Sequence, residues 1–292
     1  MISILNRYTT LLAEGENSLS VSGAQTPELD AQILLAQVLG VDRMRMIAFP
    51  PEEVPPFAPV EYRRLVKRRA EGEPIAYITG RKEFHNYVFK VDRSVLIPRQ
   101  ETEELAEAAL KRFSNSTPLS VADVGTGSGC IAITLGLERP SWQITAVDVC
   151  EEALVVARQN AAELGAKNTA FFKSDVLSGV EGKFDLIVSN PPYIDPAQST
   201  TLQVEIKNFE PHTALFAGYK GLEIIQKLVA QSEQRLNDGG ALFCEIGWDQ
   251  KNEVAGLFND AWEDVTFIKD ISGRDRIVFA TLRKKQGIQW TK

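Results

Sequence analysis

Apolar side chains recur at every third or fourth position through the first eighty residues, which is the spacing of amphipathic helices. The pattern predicts a first helix that ends at Gly15, because glycine commonly terminates helices. A second helix is predicted from Pro27 to Gly40, and a third starts near Pro59. Together these elements predict a small helical domain over residues 1–82.

A weak alternation of apolar and polar residues follows between Phe84 and Ile97. Its two halves are separated by Asp92-Arg93-Ser94, a sequence typical of turns, so the pattern predicts a short β-hairpin. We expect this hairpin to link the helical domain to the rest of the chain over residues 83–98, with a second domain over residues 99–292.

The second domain begins with an amphipathic helix that Thr102 is predicted to open, and strand and helix patterns then alternate. The predicted strands lie near residues 119–125, 142–148, 168–174, 184–190, 239–247, 263–269 and 276–282. This alternation is typical of an α/β fold with a doubly wound, mainly parallel sheet, here of seven strands. The last two strands have no long helix pattern between them, so the final strand is predicted to be antiparallel, after a turn at Ser272-Gly273.

The composition narrows the function only slightly. A net charge of −7 and a pI near 5.1 disfavour non-specific binding to nucleic acid. Cys130, Cys150 and Cys244 lie far apart among apolar residues, which favours reduced thiols in a cytoplasmic protein and predicts neither disulfides nor a metal site. No apolar run approaches the length of a membrane span. The basic cluster Arg63–Arg69 is interpreted either as a solvated helix face or as a contact for an acidic partner.

A glycine-rich turn joins a buried strand to a helix at residues 125–129, and its residues are Gly125, Thr126, Gly127, Ser128 and Gly129. Glycine permits the sharp turn and lets a ligand approach the backbone and the helix amides. Asp148 ends the next strand, where an acid accepts hydrogen bonds from a ribose diol. The pattern therefore favours a cofactor that contains a nucleoside, although a tight turn with a capping acid would have the same sequence.

The spacing of this turn is GxGxG, which departs from the GxGxxG of dinucleotide-binding proteins and resembles the first motif of class I methyltransferases. The resemblance implies S-adenosylmethionine as cofactor, with its methionine part at the glycine turn. It also places Asp175, after the third strand of the sheet, near the adenine amino group. A loop-capping role for Asp175 is an equally good interpretation.

The sequence Asn190-Pro191-Pro192-Tyr193 follows another buried strand, at the end of the sheet where such folds bind ligands. The Asn190 side-chain carbonyl and the Pro191 backbone carbonyl can each accept one N–H of a planar NH₂ group. Prolines stiffen the loop, and Tyr193 offers a flat face for a planar substrate. This chemistry predicts methylation of an amide nitrogen or of the exocyclic amine of a base, whereas a proline-stiffened turn is the structural alternative.

Beyond these two motifs, nearly the whole chain resembles the PrmC/HemK protein-(glutamine-N5) methyltransferases. The matching segments are Glu73-Pro74, Tyr77-Ile78-Thr79-Gly80, Glu83-Phe84, Leu96-Ile97-Pro98-Arg99, Glu101-Thr102-Glu103, residues 125–129, residues 190–194, Glu210-Pro211, Ala214-Leu215, Gly221-Leu222, Glu245-Ile246-Gly247 and Gly273-Arg274-Asp275-Arg276. Gln100 replaces a proline often found there, and Val176 stands where some members carry a tryptophan.

The resemblance implies methylation of the glutamine in the GGQ motif of peptide chain release factors, with recognition by the helical domain. It also suggests that Arg99, Thr102 and Glu103 line the entrance to the site, although a helix cap with a surface ion pair fits them equally well. Glu245 is expected to orient the catalytic loop or to serve a structural hydrogen bond. The rival function is adenine-N6 methylation of nucleic acid, which Asn190–Tyr193 also permits but which requires a basic groove. No membrane and no direct nucleic-acid substrate are therefore expected as partners.

Overall fold

The structure is a computed structural model that describes residues 7–114 and 116–284. Residues 1–6 of the first predicted domain, and residues 115 and 285–292 of the second, lie outside the described residues. The chain forms two compact units. Unit 1 comprises residues 1–81 together with 203–209, and unit 2 comprises residues 82–202 together with 210–292. A short segment from the second half of the chain therefore belongs to the helical unit.

The helices are α1 (Tyr8–Val21), α2 (Pro27–Leu39), α3 (Arg43–Ala48), α4 (Ala58–Ala70), α5 (Ile75–Thr79), α6 (Gln100–Arg112), α7 (Cys130–Glu138), α8 (Glu151–Leu164), α9 (Val204–Phe209), α10 (Gly218–Gly221), α11 (Glu223–Arg235) and α12 (Lys251–Ala255). The strands are β1 (Arg81–Phe84), β2 (Tyr87–Lys90), β3 (Ser120–Val124), β4 (Gln143–Asp148), β5 (Thr169–Lys173), β6 (Phe184–Ser189), β7 (Leu236–Glu245), β8 (Trp262–Lys269) and β9 (Asp275–Leu282). Two 3₁₀ turns, Pro196–Thr201 and His212–Ala214, follow β6.

The predicted end of the first helix at Gly15 is wrong, because α1 continues to Val21. A Cβ atom at Gly15 would lie 1.9 Å from the hydroxyl oxygen of Tyr62 in α4. The glycine therefore permits close packing of two helices and does not end one. The second helix is confirmed, and it ends at Gly40 with the left-handed φ of 64° expected of a C-terminal cap.

The basic cluster Arg63–Arg69 forms a charge-balanced face of α4. Each side chain of the cluster has an acidic partner: Arg63 with Glu14, Arg64 with Glu61, Lys67 with Glu71, Arg68 with Glu73, and Arg69 with Asp30 and Glu205. The Arg69 pair to Asp30 is buried and measures 2.6 Å. The pair from Arg69 to Glu205 in α9 is also 2.6 Å and joins the inserted segment to the rest of unit 1. Arg69 therefore forms a buried ion pair within the unit, whereas the pairs of Arg63, Arg64 and Lys67 lie at the solvent-exposed surface, where ion pairs contribute little.

The hairpin lies earlier in the chain than the sequence pattern predicts. Strands β1 and β2 form a two-stranded sheet, and their turn is at His85-Asn86, where His85 has φ 56°. The predicted turn at Asp92–Ser94 exists, because the Ser94 backbone N–H donates to the Asp92 carboxylate at 2.8 Å. This turn joins β2 to an irregular segment and not to a second strand. The turn sequence alone therefore did not show which of the neighbouring apolar runs form strands.

The seven-stranded sheet of unit 2 confirms the predicted α/β fold. Its strand order is β5-β4-β3-β6-β7-β9-β8, and every pairing is parallel except those of β9 with β7 and β8. The predicted antiparallel final strand is thus confirmed. One buried apolar cluster contains residues of α6 and α7, and a second contains residues of α11 and α12. The chain adds β4 and β5 on one side of β3 and then continues with β6 on the other side, so the order of connection reverses at β3. The carboxyl ends of the parallel strands β3, β4 and β6 therefore surround a crevice of the kind that binds ligands in such folds.

Within the described ranges, no helix is both long and apolar enough to cross a membrane. No group of three or more His, Cys, Asp or Glu side chains in the same ranges is arranged to hold a metal ion.

Candidate active site

A deep cavity opens at the carboxyl ends of β3, β4 and β6. About 1040 Å³ of space that contains no protein atoms lies within the cavity and its open mouth. Three sequence-predicted groups line it: residues 125–128 of the glycine turn, the acids Asp148 and Asp175, and residues 190–192 of the proline loop. Further wall residues include Leu96, Pro98, Arg99, Thr102, Cys150, Val176, Thr213, Ala214 and Ile224.

The glycines of the turn meet different steric demands. Gly125, Gly127 and Gly129 all have positive φ, between 54° and 83°. A Cβ at Gly127 would find no protein atom within 4 Å, so this position faces open space on the cavity wall. A Cβ at Gly129 would lie 2.8 Å from the Ile133 side chain and 3.2 Å from Ala157. Gly127 therefore leaves room for a ligand, while Gly129 permits close packing of the turn on α7 and α8.

A fully buried acid, Asp123, lies beneath the turn, and the sequence analysis did not single it out. Its Oδ2 accepts hydrogen bonds from Thr126 Oγ1 at 2.7 Å and from the Ala132 backbone N–H at 3.1 Å. Burial raises the pKa of Asp123 to about 7. Because it binds Thr126 in the turn and Ala132 in α7, Asp123 holds the turn against the start of α7.

The two predicted cofactor acids differ in their surroundings. Asp148 is largely enclosed, and its two carboxylate oxygens accept the backbone N–H groups of Gly127 and Cys150 at 2.9 Å each. Each oxygen retains a further lone pair for a ligand, and burial raises the pKa of Asp148. Asp175 is exposed and pairs with Lys227 at 3.6 Å. Asp148 therefore links the glycine turn to β4, whereas Asp175 lies at the solvent side of the cavity.

Three residues of the proline loop, Asn190, Pro191 and Pro192, line the cavity. Asn190 Nδ2 donates to Thr102 Oγ1 at 2.8 Å, and in the described part of the chain its Oδ1 receives no hydrogen bond. The Asn190 carbonyl oxygen of the side chain is thus an acceptor available to a ligand. Tyr193 instead packs against the apolar cluster that contains residues of α11 and α12.

Thr102 and Tyr193 meet at one buried carboxylate, Glu245. The Thr102 hydroxyl donates to Oε2 at 2.7 Å and the Tyr193 hydroxyl donates to Oε1 at 3.1 Å. Burial raises the pKa of Glu245 to about 7 and also raises the pKa of the Tyr193 phenol. The predicted opening of the helix by Thr102 is wrong, since α6 begins at Gln100 and the Thr102 hydroxyl is used within the site.

The segments Ile97-Pro98-Arg99 and Glu210-Pro211 meet beside the cavity. Glu210 is buried, forms an ion pair with Arg99, and accepts the Ile97 backbone N–H at 3.3 Å. Arg99 and Thr102 therefore belong to the cavity wall, as the resemblance suggested, whereas Glu103 does not line this cavity. Glu210 lies over 100 positions from Arg99, which is why no local pattern predicts the pair.

Comparison with known proteins agrees with this geometry. Residues 10–80 match the PrmC N-terminal domain family, and residues 100–209 match the methyltransferase small domain family. The chain is 41% identical over 262 residues to a release factor glutamine methyltransferase of Koribacter versatilis, covering 89% of this chain and 93% of that protein. This chain belongs to the release factor glutamine methyltransferase family. A second member, from Nitratidesulfovibrio vulgaris, is 40% identical and covers 92% of this chain and 93% of its own length.

The fold of this chain is similar to that of a solved methyltransferase structure from Pyrococcus furiosus. It aligns with a TM-score of 0.51 at 22% identity, over 68% of this chain and 89% of that one. Unit 2 therefore has the fold of a class I methyltransferase.

In this methyltransferase, contacts to the Tyr193 carbonyl hold the proline loop in place. Gln250 Nε2 donates to the Tyr193 carbonyl at 2.9 Å, and its Oε1 accepts the Gly247 N–H at 2.8 Å. Gly221 lies against the same carbonyl with φ 82°, and a Cβ there would be 2.0 Å from the Tyr193 oxygen. The loop therefore depends on a position that only glycine fills without displacing Tyr193.

We expect Gly221→Ala to lower the rate of methyl transfer by at least about tenfold, because catalytic groups displaced by 1 Å lose much of their effect. Gly165→Ala is the matched control: Gly165 has a similar φ of 79°, but no atom lies within 4 Å of its added Cβ. Steady-state rates of both purified variants check this. Equal losses in the two variants would show that backbone strain, and not displacement of the loop, is the cause.

Proposed function

We propose that this chain transfers a methyl group from S-adenosylmethionine to the side-chain amide nitrogen (N5) of the glutamine in the GGQ motif of peptide chain release factors. One observation carries the proposal: the Asn190 amide is fixed with Oδ1 available at the carboxyl end of β6, beside the Pro191 carbonyl. We further propose that residues 1–82 recognise the release factor, residues 83–98 link the domains, and residues 99–292 perform the reaction. The three free cysteines favour the cytoplasm as its location.

The cavity wall fits S-adenosylmethionine. Gly127 leaves open space beside the turn, where the methionine part would lie. Asp148 keeps lone pairs that can accept both ribose hydroxyls, and Asp175 is the candidate for the adenine amino group. We assign Gly125, Thr126 and Ser128 to the same binding turn, and Asn190 to the wall beside the reacting group. Gly129 completes the turn by permitting its close packing on α7 and α8. When bound, S-adenosylmethionine supplies an electrophilic methyl group.

The residues of the proline loop make an amide nitrogen reactive by orientation and electrostatics. The lone pair of such a nitrogen is delocalised into the carbonyl group, so the nitrogen is a weak nucleophile. Asn190 Oδ1 and the Pro191 carbonyl oxygen each accept one N–H, which fixes the NH₂ group and its direction of attack. Both oxygens also stabilise the positive charge that grows on nitrogen as the methyl group leaves sulfur, and this charge disappears when the methylated nitrogen loses one of its protons to water. The prolines hold these acceptors rigid, and Tyr193 holds the loop through Glu245.

Adenine-N6 methylation of nucleic acid needs the same two acceptors, so the loop alone does not separate the two substrates. Membership of the release factor glutamine methyltransferase family favours glutamine. The net charge of −7 is also opposite to that of a nucleic-acid groove. Nucleic acid and membrane are therefore not proposed as partners.

A competition assay tests this choice. The full-length enzyme is incubated with methyl-labelled S-adenosylmethionine and with release factor, adenine-containing DNA, or both. We expect label in the release factor alone, because family membership and the net charge of −7 both favour a protein substrate over nucleic acid. Label in DNA and none in the release factor would refute the proposal.

A further inference from the structure

A chain of hydrogen bonds reaches Asn190 from the interior of the sheet. Glu245 at the end of β7 is 1% exposed, and Thr102 in the first turn of α6 is 2% exposed. Asn190 Nδ2 donates to Thr102 Oγ1 at 2.8 Å, and Thr102 Oγ1 donates to Glu245 Oε2 at 2.7 Å. The hydroxyl of Tyr193 donates to the other carboxylate oxygen at 3.1 Å. Glu245 therefore holds both ends of the proline loop.

The carboxylate sets the direction of each hydrogen bond in this chain. An ionised carboxylate only accepts, so Thr102 gives its single hydroxyl proton to Glu245 and turns a lone pair towards Asn190. Only the Nδ2 end of the Asn190 amide can bond to that lone pair, because the Oδ1 end would bring two acceptors together. The Asn190 amide is therefore held in one of its two orientations, with Oδ1 left for a ligand.

We propose that Thr102 and Glu245 are positioning residues for methyl transfer, because they select the orientation of the Asn190 amide that presents Oδ1 to an N–H of the substrate amide. This inference rests on the proposed function, in which the acceptor is an amide NH₂ group. The two orientations of an asparagine amide have nearly the same shape, so packing alone selects neither. In the other orientation, Asn190 would present its own NH₂ group to the NH₂ group of the substrate. The substrate nitrogen would then lose one of the two hydrogen bonds that fix it.

Packing does not explain a carboxylate at this position. Burial raises the pKa of Glu245 to about 7, so keeping the ionised form here costs free energy. Arg276 lowers that pKa, but its guanidinium donates to Asp270 and to the Ile246 carbonyl at 3.3 Å. Both hydrogen bonds that Glu245 accepts come from groups that fix the proline loop. We therefore infer that the carboxylate is buried here, despite this cost in free energy, to orient that loop.

The substitution Thr102→Val removes the hydroxyl and keeps the shape of the side chain. We expect kcat for methylation of the release factor to fall by about 10- to 100-fold, as for loss of a transition-state hydrogen bond. The KM for the release factor and the Kd for S-adenosylmethionine are expected to stay within about twofold of wild type. Thr102→Ser keeps the hydroxyl and is expected to restore kcat to within about threefold.

Glu245→Leu is expected to lower kcat at least as much as Thr102→Val, because it also removes the acceptor of the Tyr193 hydroxyl. The double variant is expected to lose little more than Glu245→Leu, because the two changes share their effect on the Asn190 amide. Thr266→Val, on an exposed position of β8, is the matched control and should leave kcat unchanged. Full kcat in Thr102→Val, an effect on KM alone, or an equal loss in Thr102→Ser would overturn the proposal. Wild type is assayed in parallel, and its failure to methylate the release factor would refute the proposed function instead.

Discussion

Asn190→Ala is expected to lower kcat for release factor methylation by at least about 100-fold, while S-adenosylmethionine binds with nearly unchanged affinity. The substitution removes Oδ1, which receives no hydrogen bond within the described residues and is therefore the acceptor left for substrate. The loss is specific to the transition state because the positive charge on nitrogen is greatest there. Steady-state kinetics with release factor, combined with calorimetric titration of the cofactor, separate the two effects.

The control for this prediction is Asn252→Ala, which truncates an exposed asparagine in α12 and should leave both quantities unchanged. If Asn190→Ala kept most of its kcat, orientation by the side-chain carbonyl would be wrong. If it lost cofactor binding instead, Asn190 would be a cofactor ligand and not an acceptor for substrate N–H.

Asp148→Ala is expected to weaken binding of S-adenosylmethionine by about 10- to 100-fold, since a hydrogen bond to a charged group contributes about 1.5–3 kcal/mol and tenfold corresponds to about 1.4 kcal/mol. Two effects combine in this variant. The lone pairs proposed for the ribose hydroxyls are lost, and so is the anchor that Oδ2 provides to the Gly127 N–H at 2.9 Å. Calorimetry gives the Kd directly.

The comparison variant is Asp175→Ala, because Asp175 lines the same cavity but is exposed and pairs with Lys227 at 3.6 Å. Solvent screens an exposed group, so we expect this variant to weaken binding by less than about threefold. A larger loss in Asp175→Ala than in Asp148→Ala would contradict the assignment of Asp148 as the main polar contact of the cofactor.

Local patterns predicted the sheet and the two motifs well, because each depends on residues close together in sequence. Strand β9 was predicted to be antiparallel from the short connection before it, and the structure confirms this. The glycine turn and the proline loop were placed at the carboxyl ends of their strands from the strand patterns alone. Both line the cavity.

Contacts between distant residues decided the features that the sequence did not predict. Gly15 looked like the end of a helix because its partner, Tyr62, lies in α4. Thr102 looked like a helix cap because Glu245, which accepts its hydroxyl proton, lies 143 positions away. Residues 203–209 belong to unit 1, and Glu205 in this segment pairs with Arg69, which lies 136 positions earlier in the sequence.

The central claim is that the reaction methylates one glutamine amide of a release factor, and peptide mass spectrometry tests it most directly. Release factor is incubated with the full-length enzyme and S-adenosylmethionine, digested, and sequenced by tandem mass spectrometry. We predict the mass of one added methylene group on the side chain of the GGQ glutamine, present with wild type and nearly absent with Asn190→Ala. An unmodified GGQ glutamine, or the added mass on another residue, would contradict the account.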